Sequence, residues 1–251
     1  MGKFRKCRRR LNLTNWIIGG CLIASGVYFV PRYEDTLKSE IKKVFGEQDT
    51  TISTNDSTYP SFNGQAYDVI NNNEPDFTEV SSEPYFETSE LDSLGRCGEA
   101  KALVGLDTLS SEERGSIGMI KPSGWQTVRY DDYISDKYLY NRGHLIMFAM
   151  YGNETNIAEN LITETRYANS VTQLNFEKEV VEYIENTGKH VEYHVKPIFF
   201  DNELVARGIE IQALSEDGEF KLHVYVHNVQ PNIEIDYKTG DSCVNETVQV
   251  N

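Results

Sequence analysis

The chain has 251 residues, a length that suits one sizeable domain with an appendage. Its formal net charge at pH 7 is −15. Seven of its 24 lysines and arginines lie at or before Arg32, so the chain after Arg32 has 17 basic residues against 39 acidic ones, a net charge of −22. Composition alone therefore argues against a nucleic-acid ligand, because proteins that bind phosphate backbones normally carry a basic surface.

The first 33 residues have the layout of a membrane signal anchor. Residues 1–14 form a basic head without acids, and an apolar run from Trp16 to Val30 follows it. A basic segment before an apolar one is typical of a signal peptide, or of an anchor whose basic end stays in the cytoplasm. We predict an uncleaved transmembrane signal anchor over residues 15–33, which would make this a single-pass protein of the cell membrane with its main domain extracellular. A cleaved signal peptide, which would make the protein secreted, is the alternative.

Residues 34–60 are predicted to form a short helix followed by a flexible linker. Leu37, Ile41, Val44 and Phe45 fall at helical spacing. The stretch from Glu47 onward is polar and rich in turn formers, which is the composition of a tether. Such a tether would let an anchored domain stand clear of the membrane surface.

Residues 61–251 are predicted to form one α+β domain with a largely antiparallel twisted sheet. The first half predicts a strand before Asn71, strands or helices at Tyr85–Leu91 and Ala100–Val104, a short helix capped by Ser110, a turn at 121–124 and a strand at Trp125–Tyr130. The second half predicts a helix at Leu174–Asn186 and strands at His190–Phe200, Leu204–Leu214 and Phe220–Val229. A turn at 216–218 joins the last two strands as an antiparallel hairpin.

Histidines and cysteines outside the central motif have structural interpretations. The histidine pairs at 190 and 194 and at 223 and 227 share a strand face but lack the helix and glutamate of a zinc-protease motif, so we interpret them as strand surface residues. Cys97 and Cys243 form either a disulfide that closes a very long loop or two free thiols. No two cysteines have zinc-finger spacing, which argues against a structural zinc.

The stretch from Tyr140 to Glu177 carries the strongest functional signal. An Arg-Gly-His cluster ends in His144 within an apolar run, and Asn160, Asn169 and Glu177 follow across a polar loop. A neutral histidine can take a proton from an attacking water, and side-chain oxygens can hold a divalent cation that offsets negative charge. A strand histidine and a loop asparagine are also common as structural residues, so spacing alone does not decide the function.

NRGH at 141–144 and NLIT-x-TRYAN at 160–169 resemble the DNA/RNA non-specific endonuclease family, the ββα-metal nucleases, and most closely its secreted or surface members from Gram-positive bacteria. The resemblance extends from about Tyr85 to Tyr237 and includes GRCG at 95–98, EERGSIGMIKPSGW at 112–125 and VHNVQP at 226–231. It implies a ββα-metal core on the sheet. It also implies metal-dependent hydrolysis of DNA and RNA phosphodiester bonds, with little sequence preference and with 5′-phosphate products.

The resemblance further implies roles for four side chains. His144 would be the general base, and Asn169 would bind the metal, expected to be Mg²⁺ with Mn²⁺ or Ca²⁺ as alternatives. Asn160 would help to order the metal-binding segment or the metal, and Glu177 would hold water that is bound to the metal.

Two positions depart from the family pattern. Asn141 replaces the aspartate of the usual Asp-Arg-Gly-His, which removes one carboxylate beside the histidine. Glu164 stands where glycine is expected, and we interpret it as a solvated loop residue rather than as a carboxylate that points inward and repels phosphate. Neither change removes the proposed base or metal ligand.

Hydrolysis requires only a local cationic cleft, so an acidic body is compatible with a nucleic-acid substrate. Arg114 and Arg166 are the first candidates to offset charge on the phosphate, and Arg142, Lys121 and Arg96 are candidates to bind substrate nearby. Binding is expected to be weak and to fall steeply as salt rises.

Two other functions fit the same residues. A catalytically silent surface-binding module is favoured by Asn141 and by the −22 balance, and is opposed by the intact His144, Asn169 and Glu177. A toxin or competence nuclease would have the same chemistry together with a dedicated immunity or uptake partner. A monomer is expected in each case.

Overall fold

The computed structural model describes residues 59–251, and its largest element is a six-stranded antiparallel sheet. In chain order the strands are β1 Tyr67–Val69, β2 Tyr85–Thr88, β3 Ala100–Val104, β4 Tyr140–His144, β5 Leu161–Thr165, β6 Val191–Ile198, β7 Gly208–Ser215, β8 Lys221–His227, β9 Ile233–Ile235 and β10 Ser242–Val244. The order across the large sheet is β1, β8, β7, β6, β3, β2, whereas β4 pairs with β5 and β9 pairs with β10. The helices are α1 Phe148–Tyr151 and α2 Leu174–Thr187, with a π-helical turn at Ala168–Gln173 that leads into α2.

One face of the large sheet is apolar and carries the main core. Tyr193 of β6 and Ile211 of β7 lie on this face, because side chains alternate between the two faces of a strand. Phe176, Val180 and Ile184 of α2 recur every four residues and complete the same core from the helix side. The sheet and α2 therefore form the two layers that fix the position of β4 and β5.

The predicted α+β class and the main elements of the second half are confirmed. Helix α2 spans Leu174–Thr187 and ends at Gly188, whose φ of 69° is the left-handed conformation that glycine adopts without strain. Strands β6, β7 and β8 correspond to the three predicted strands, and Gly218 at φ 74° turns the β7–β8 hairpin. The strand predicted before Asn71 is confirmed as β1, and residues 71–73 follow it as a 3₁₀ turn.

Two local predictions in the first half are wrong. Ser110 does not cap a helix; its Oγ instead accepts a hydrogen bond from the Glu112 N–H within an irregular loop. Residues 125–130 do not form a strand, because Arg129 bridges Tyr138 at one isolated position only. In the described residues, no neighbouring strand offers that segment a continuous ladder.

One of the two alternatives for Cys97 is excluded, and one prediction about the histidines is wrong. Cys97 is a free, buried thiol whose Sγ lies 3.1 Å from the Leu161 carbonyl oxygen, so it forms no disulfide with Cys243. His223 and His227 are not surface residues, since their exposed fractions are 1% and 2%. Glu74 and Asp76, between β1 and β2, lie against His223, whereas Phe62 and Asp68 contact His227.

The predicted basic head, signal anchor and helix, with nearly all of the linker, lie outside the described residues. Within residues 59–251, no helix is both long enough and apolar enough to span a bilayer.

Candidate active site

Strands β4 and β5 and helix α2 form a ββα unit that brings the predicted residues together. β4 and β5 are antiparallel, with Asn141 opposite Glu164 and His144 opposite Leu161. The chain leaves β5, passes through the π-helical turn that contains Asn169, and enters α2. Sequence analysis did not identify β5, because all five of its residues are buried and no alternation marks the strand.

A cleft of about 650 Å³ lies along this unit. It continues into a pocket of about 300 Å³ that reaches His144 and Glu177. The two spaces share Arg114, Arg142 and Asn169 as lining residues. The side chains predicted to act as base, metal ligand and acid therefore face one continuous site lined by arginines.

His144 is held as a neutral imidazole. The Arg114 guanidinium can only donate, so its Nη2, at 3.2 Å, donates to Nδ1. The ring proton must then lie on Nε2, which donates to Asn156 Oδ1 at 2.9 Å. Burial, reinforced by the Arg114 charge and opposed by the Asn156 hydrogen bond, lowers the pKa of His144 to about 4. At neutral pH the imidazole is in its basic form, with the lone pair on the Nδ1 side.

The Asn169 carboxamide is oriented by two neighbours. Its Oδ1 accepts a hydrogen bond from Asn141 Nδ2 at 2.8 Å. Its Nδ2 donates to Glu164 Oε2 at 3.2 Å. Since the two ends of the amide have different partners, the oxygen is directed to the Asn141 side, where both residues line the cleft.

Glu164 is fully buried, so its interpretation as a solvated loop residue is wrong. Burial and the nearby charge of Glu177 raise the pKa of Glu164 well above its ordinary value, which favours the neutral acid. Its Oε1 has no hydrogen-bond partner among the described residues. A Cβ at Gly143 would lie 1.9 Å from Glu164 Oε2, so the glycine of the Arg-Gly-His cluster makes room for this carboxyl group.

Glu177 is buried at the start of α2, and burial raises its pKa to about 7. Gln173 Nε2 donates both to Glu177 Oε1 at 2.9 Å and to the His144 carbonyl oxygen at 2.8 Å. One amide therefore links the strand that carries the base to the helix that carries the acid.

A family model for DNA/RNA non-specific endonucleases matches residues 75–217, which is more than half of the chain. The chain belongs to this family. NucA from Streptococcus agalactiae, solved with magnesium ion bound, is similar over 84% of this chain and 96% of its own, with 23% identity and a TM-score of 0.65. Sda1 nuclease with bound zinc ion is similar over 65% and 83%, with 26% identity and a TM-score of 0.54. An extracellular endonuclease is similar over 73% and 99%, with 18% identity and a TM-score of 0.51. The resemblance found in the sequence is confirmed, and the antiparallel sheet with its ββα unit matches the ββα-metal nuclease fold.

In this endonuclease, Asn160 is a structural clamp on the loop behind the base. Its Oδ1 accepts from the Ile146 N–H at 2.9 Å, and its Nδ2 donates to the carbonyl oxygens of Ile146 and Thr155. It is fully buried and is not among the residues that line the cleft. Its predicted part in ordering the segment therefore has a structural basis that does not involve direct contact with a metal.

Two more arginines line the cleft beside Arg114. Arg166 forms an ion pair with Asp136 at the rim. Arg142 donates to the carbonyl oxygens of Gly118 and Ile120, and its guanidinium lies 4.1 Å from the centre of the Trp125 ring. These contacts hold Arg142 against the wall of the cleft.

Arg96 and Lys121 are not among the described side chains that line the cleft. Arg96 pairs with Asp92 at 2.7 Å and donates to the carbonyl oxygens of Asp201 and Glu203. Lys121 is exposed in the predicted turn before Trp125. The structure therefore gives these two residues no contact with the site.

Sequence analysis missed Asn156 and Gln173, which hold the base and the acid. Each acts through a side-chain hydrogen bond to a residue that is distant in sequence, 12 positions away for Asn156 and 29 for Gln173. An asparagine in the GNETN loop resembles any turn residue. No local pattern could have identified it.

The donor atoms around Asn169 suit a hard divalent cation. The Asn169 amide contacts the Glu164 carboxyl group, which has a buried oxygen without a partner among the described residues, and Glu177 lines the same pocket. Oxygen donors of this kind are preferred by Mg²⁺, Mn²⁺ and Ca²⁺. A cation at Asn169 Oδ1 would replace the hydrogen bond that Asn141 now makes there.

Proposed function

We propose that this family member hydrolyses DNA and RNA phosphodiester bonds outside the cytoplasm, with His144 as general base and Asn169 as the ligand of a divalent cation. The observation that carries the proposal is a neutral, buried imidazole and an oriented carboxamide on one arginine-lined cleft. Mg²⁺ is the expected ion, in keeping with the magnesium bound to NucA. Mn²⁺ and Ca²⁺ are the alternatives.

In the proposed reaction, His144 Nδ1 takes a proton from a water that attacks phosphorus. The new P–O bond forms as the P–O3′ bond breaks, and the leaving O3′ gains a proton from solvent, so the products carry a 5′-phosphate and a 3′-hydroxyl. The Nε2–H···Asn156 hydrogen bond keeps the tautomer that exposes Nδ1 and stabilises the imidazolium as it forms. A general base of this kind contributes roughly 10²–10⁴-fold to the rate.

The charge that develops on the phosphate has two sources of stabilisation. When bound at Asn169, the cation offsets charge on the phosphate oxygens and on the leaving group. Arg114, now 3.2 Å from Nδ1, lies where the attacking water must enter, so we propose that it moves from the imidazole onto the phosphate as substrate binds. Arg166 at the rim would be the second phosphate contact, and Glu177 would accept hydrogen bonds from water at the metal site.

The local charge of the cleft explains how an acidic protein can take a polyanionic substrate. Arg114, Arg142 and Arg166 line it, and Trp125 and Tyr138 add aromatic walls on which unpaired bases can stack. The body outside the cleft is acidic, so binding should be weak and should fall as salt rises.

The site is proposed to work as a monomer at the cell surface. A signal anchor over residues 15–33 would hold the domain outside the membrane, and cleavage of that segment would make it secreted. A toxin or competence role with an immunity or uptake partner is the alternative biology for the same chemistry.

A catalytically silent surface-binding module is a second candidate, which one feature of the site favours. The two functional atoms are already occupied within the chain, because Arg114 donates to His144 Nδ1 and Asn141 donates to Asn169 Oδ1. If these hydrogen bonds persist when substrate and cation are present, the site cannot act.

Incubation of the full chain with supercoiled plasmid and with RNA separates the two candidates. We expect cutting with Mg²⁺, none with EDTA, and a loss of at least about 100-fold in His144→Ala. His190→Ala removes a half-buried histidine just before β6 that does not line the cleft, and this variant is the matched control, which should cut normally. Absence of metal-dependent cutting by the folded wild-type chain would refute the endonuclease proposal.

A further inference from the structure

A histidine and two carboxylates meet on the face of the large sheet that is turned away from α2. His223 of β8 and Glu210 of β7 point outward from this face, and Asp76 reaches them from the segment between β1 and β2. One ligand atom from each of the three side chains lies within 4.8 Å of the other two. Nε2 of His223 is 2.8 Å from Glu210 Oε1 and 3.9 Å from Asp76 Oδ2.

The orientation of the His223 ring leaves its Nε2 facing carboxylates. Nδ1 lies 2.8 Å from the Glu74 carbonyl oxygen, which can only accept, so Nδ1 carries a proton. In a neutral imidazole, Nε2 then carries a lone pair, and this lone pair is directed at a carboxylate oxygen. This contact is repulsive unless a second proton or a cation lies between the two atoms. The ring is 1% exposed, so water does not screen the contact.

We propose that Asp76, Glu210 and His223 form a second metal site, for a transition-metal dication of the zinc class. A zinc ion binds imidazole nitrogen and carboxylate oxygen at about 2.0–2.2 Å in a tetrahedron, so two of its ligand atoms lie roughly 3.4 Å apart. The separations of 2.8 Å and 3.9 Å from His223 Nε2 lie on either side of that value. The Glu74 backbone carbonyl that accepts from Nδ1 is one of the partners that metal-bound histidines have for their other ring nitrogen. Two carboxylates and a neutral imidazole carry −2, which a dication cancels.

Neighbouring side chains hold the carboxylates and the covering segment in place. Gln212 Nε2 donates to Glu210 Oε1 at 3.3 Å, and Gln212 Oε1 accepts from the Asp76 N–H at 2.7 Å. Glu74, the other nearby acid, is directed away and pairs with Lys221. The metal would therefore clamp the segment that contains Asp76 onto the outer face of β7 and β8.

This site is independent of the proposed nuclease site. Ile209 and Ile211 flank Glu210 in β7 and belong to the core beneath α2, so Glu210 points to the opposite face. Neither Asp76 nor His223 is among the described residues that line the cleft. Failure of one site in an experiment leaves the other untouched.

Zinc titration of the full chain tests the proposal. Asn169→Ala is present in every sample, so that the nuclease site does not contribute, and metal is first removed with EDTA and dialysis. Calorimetry with Zn²⁺ and the visible spectrum with Co²⁺ report binding. Asp76→Asn is the main variant, because this side chain is 63% exposed and its loss should not prevent folding. Asp68→Asn is the matched control, since Asp68 pairs with a buried histidine, His227, at 2.7 Å, and the described residues place no second acid within reach of a shared ion.

We expect one equivalent of Zn²⁺ to bind, with affinity reduced about tenfold or more in Asp76→Asn and unchanged in Asp68→Asn. Zinc at a hundredfold excess over its dissociation constant should raise the Tm by roughly 5–10 °C. The rise should be lost in Asp76→Asn. Absence of saturable zinc binding, or equal zinc affinity in the two variants, would overturn the proposal and identify His223–Glu210 as a buried ion pair.

Discussion

Replacement of the buried acid Glu177 by glutamine should make the metal-free protein more stable and the nuclease less active. Glu177 is 4% exposed, and burial raises its pKa from an ordinary value of 4.5 to about 7. The folded state therefore favours the protonated acid. This contribution to stability is fully present below pH 4.5 and is lost as the pH rises through 7.

The size of the effect follows from the pKa shift. A shift of about 2.5 pKa units at about 1.36 kcal/mol each corresponds to roughly 3 kcal/mol of unfolding free energy, lost between pH 4.5 and 8. Glutamine has no such titration, and its Oε1 can still accept the hydrogen bond from Gln173. The unfolding free energy of Glu177→Gln relative to wild type should therefore rise by about 3 kcal/mol as the pH increases across this range.

Urea unfolding of the full chain in EDTA at pH 4.5, 6 and 8 measures this difference. Glu182→Gln removes an exposed acid from the same helix and is the matched control, for which we expect a change within about 0.5 kcal/mol at every pH. With Mg²⁺ at limiting concentration, Glu177→Gln should cut more slowly, because it loses the charge that holds water around the cation. A stability difference between Glu177→Gln and wild type that does not grow with pH would refute the reasoning.

Three further predictions concern the groups that hold the base and the metal ligand. Glu164→Leu should raise the apparent dissociation constant for the metal about tenfold or more, because the Asn169 amide loses the acceptor of its Nδ2 hydrogen bond. Glu164→Gln keeps that acceptor and should bind the metal normally. Mn²⁺ titration measures both constants, and equal weakening in the two variants would contradict a role of Glu164 in orienting Asn169. At saturating metal, kcat/KM should fall as the pH is lowered through about 4, since the pKa of His144 is lowered to about 4. A fall centred near pH 6.5 would contradict His144 as the base in this buried state. Asn156→Ala should lower kcat about 10-fold to 100-fold by freeing the tautomer, while Asn156→Asp should keep activity and move the acid limb to higher pH. Single-turnover rates across pH measure both, and an unaffected Asn156→Ala would remove Asn156 from the mechanism.

The sequence predicted those parts of the fold in which local pattern and tertiary environment agree. Helix α2 has apolar residues at helical spacing and a glycine at its end, and both features survive in the structure. The predicted strand at 125–130 is wrong because, within residues 59–251, this segment meets its neighbour only at the single Arg129–Tyr138 bridge. Strand β5 was missed because it is buried throughout, so it shows neither alternation nor a polar face.

The candidate site was predictable at its two principal residues and not at their supports. His144 and Asn169 lie in motifs with family spacing, and the structure places both on the same cleft. Glu164 was misjudged because its burial depends on Gly143 in the opposite strand, a contact that only the paired register reveals. The burial of His223 was missed for the same kind of reason, because the covering segment is almost 150 residues away in sequence.

Mn²⁺ binding and plasmid cutting, measured on the same samples of wild type, His144→Ala and Asn169→Ala, test the central assignment most directly. We expect His144→Ala to bind Mn²⁺ at the cleft with near wild-type affinity and to lose at least about 100-fold in cutting rate. Asn169→Ala should lose cleft binding and cutting together. If Asn169→Ala keeps its cleft Mn²⁺, or if His144→Ala cuts at the wild-type rate, the assignment of metal ligand or of base is wrong.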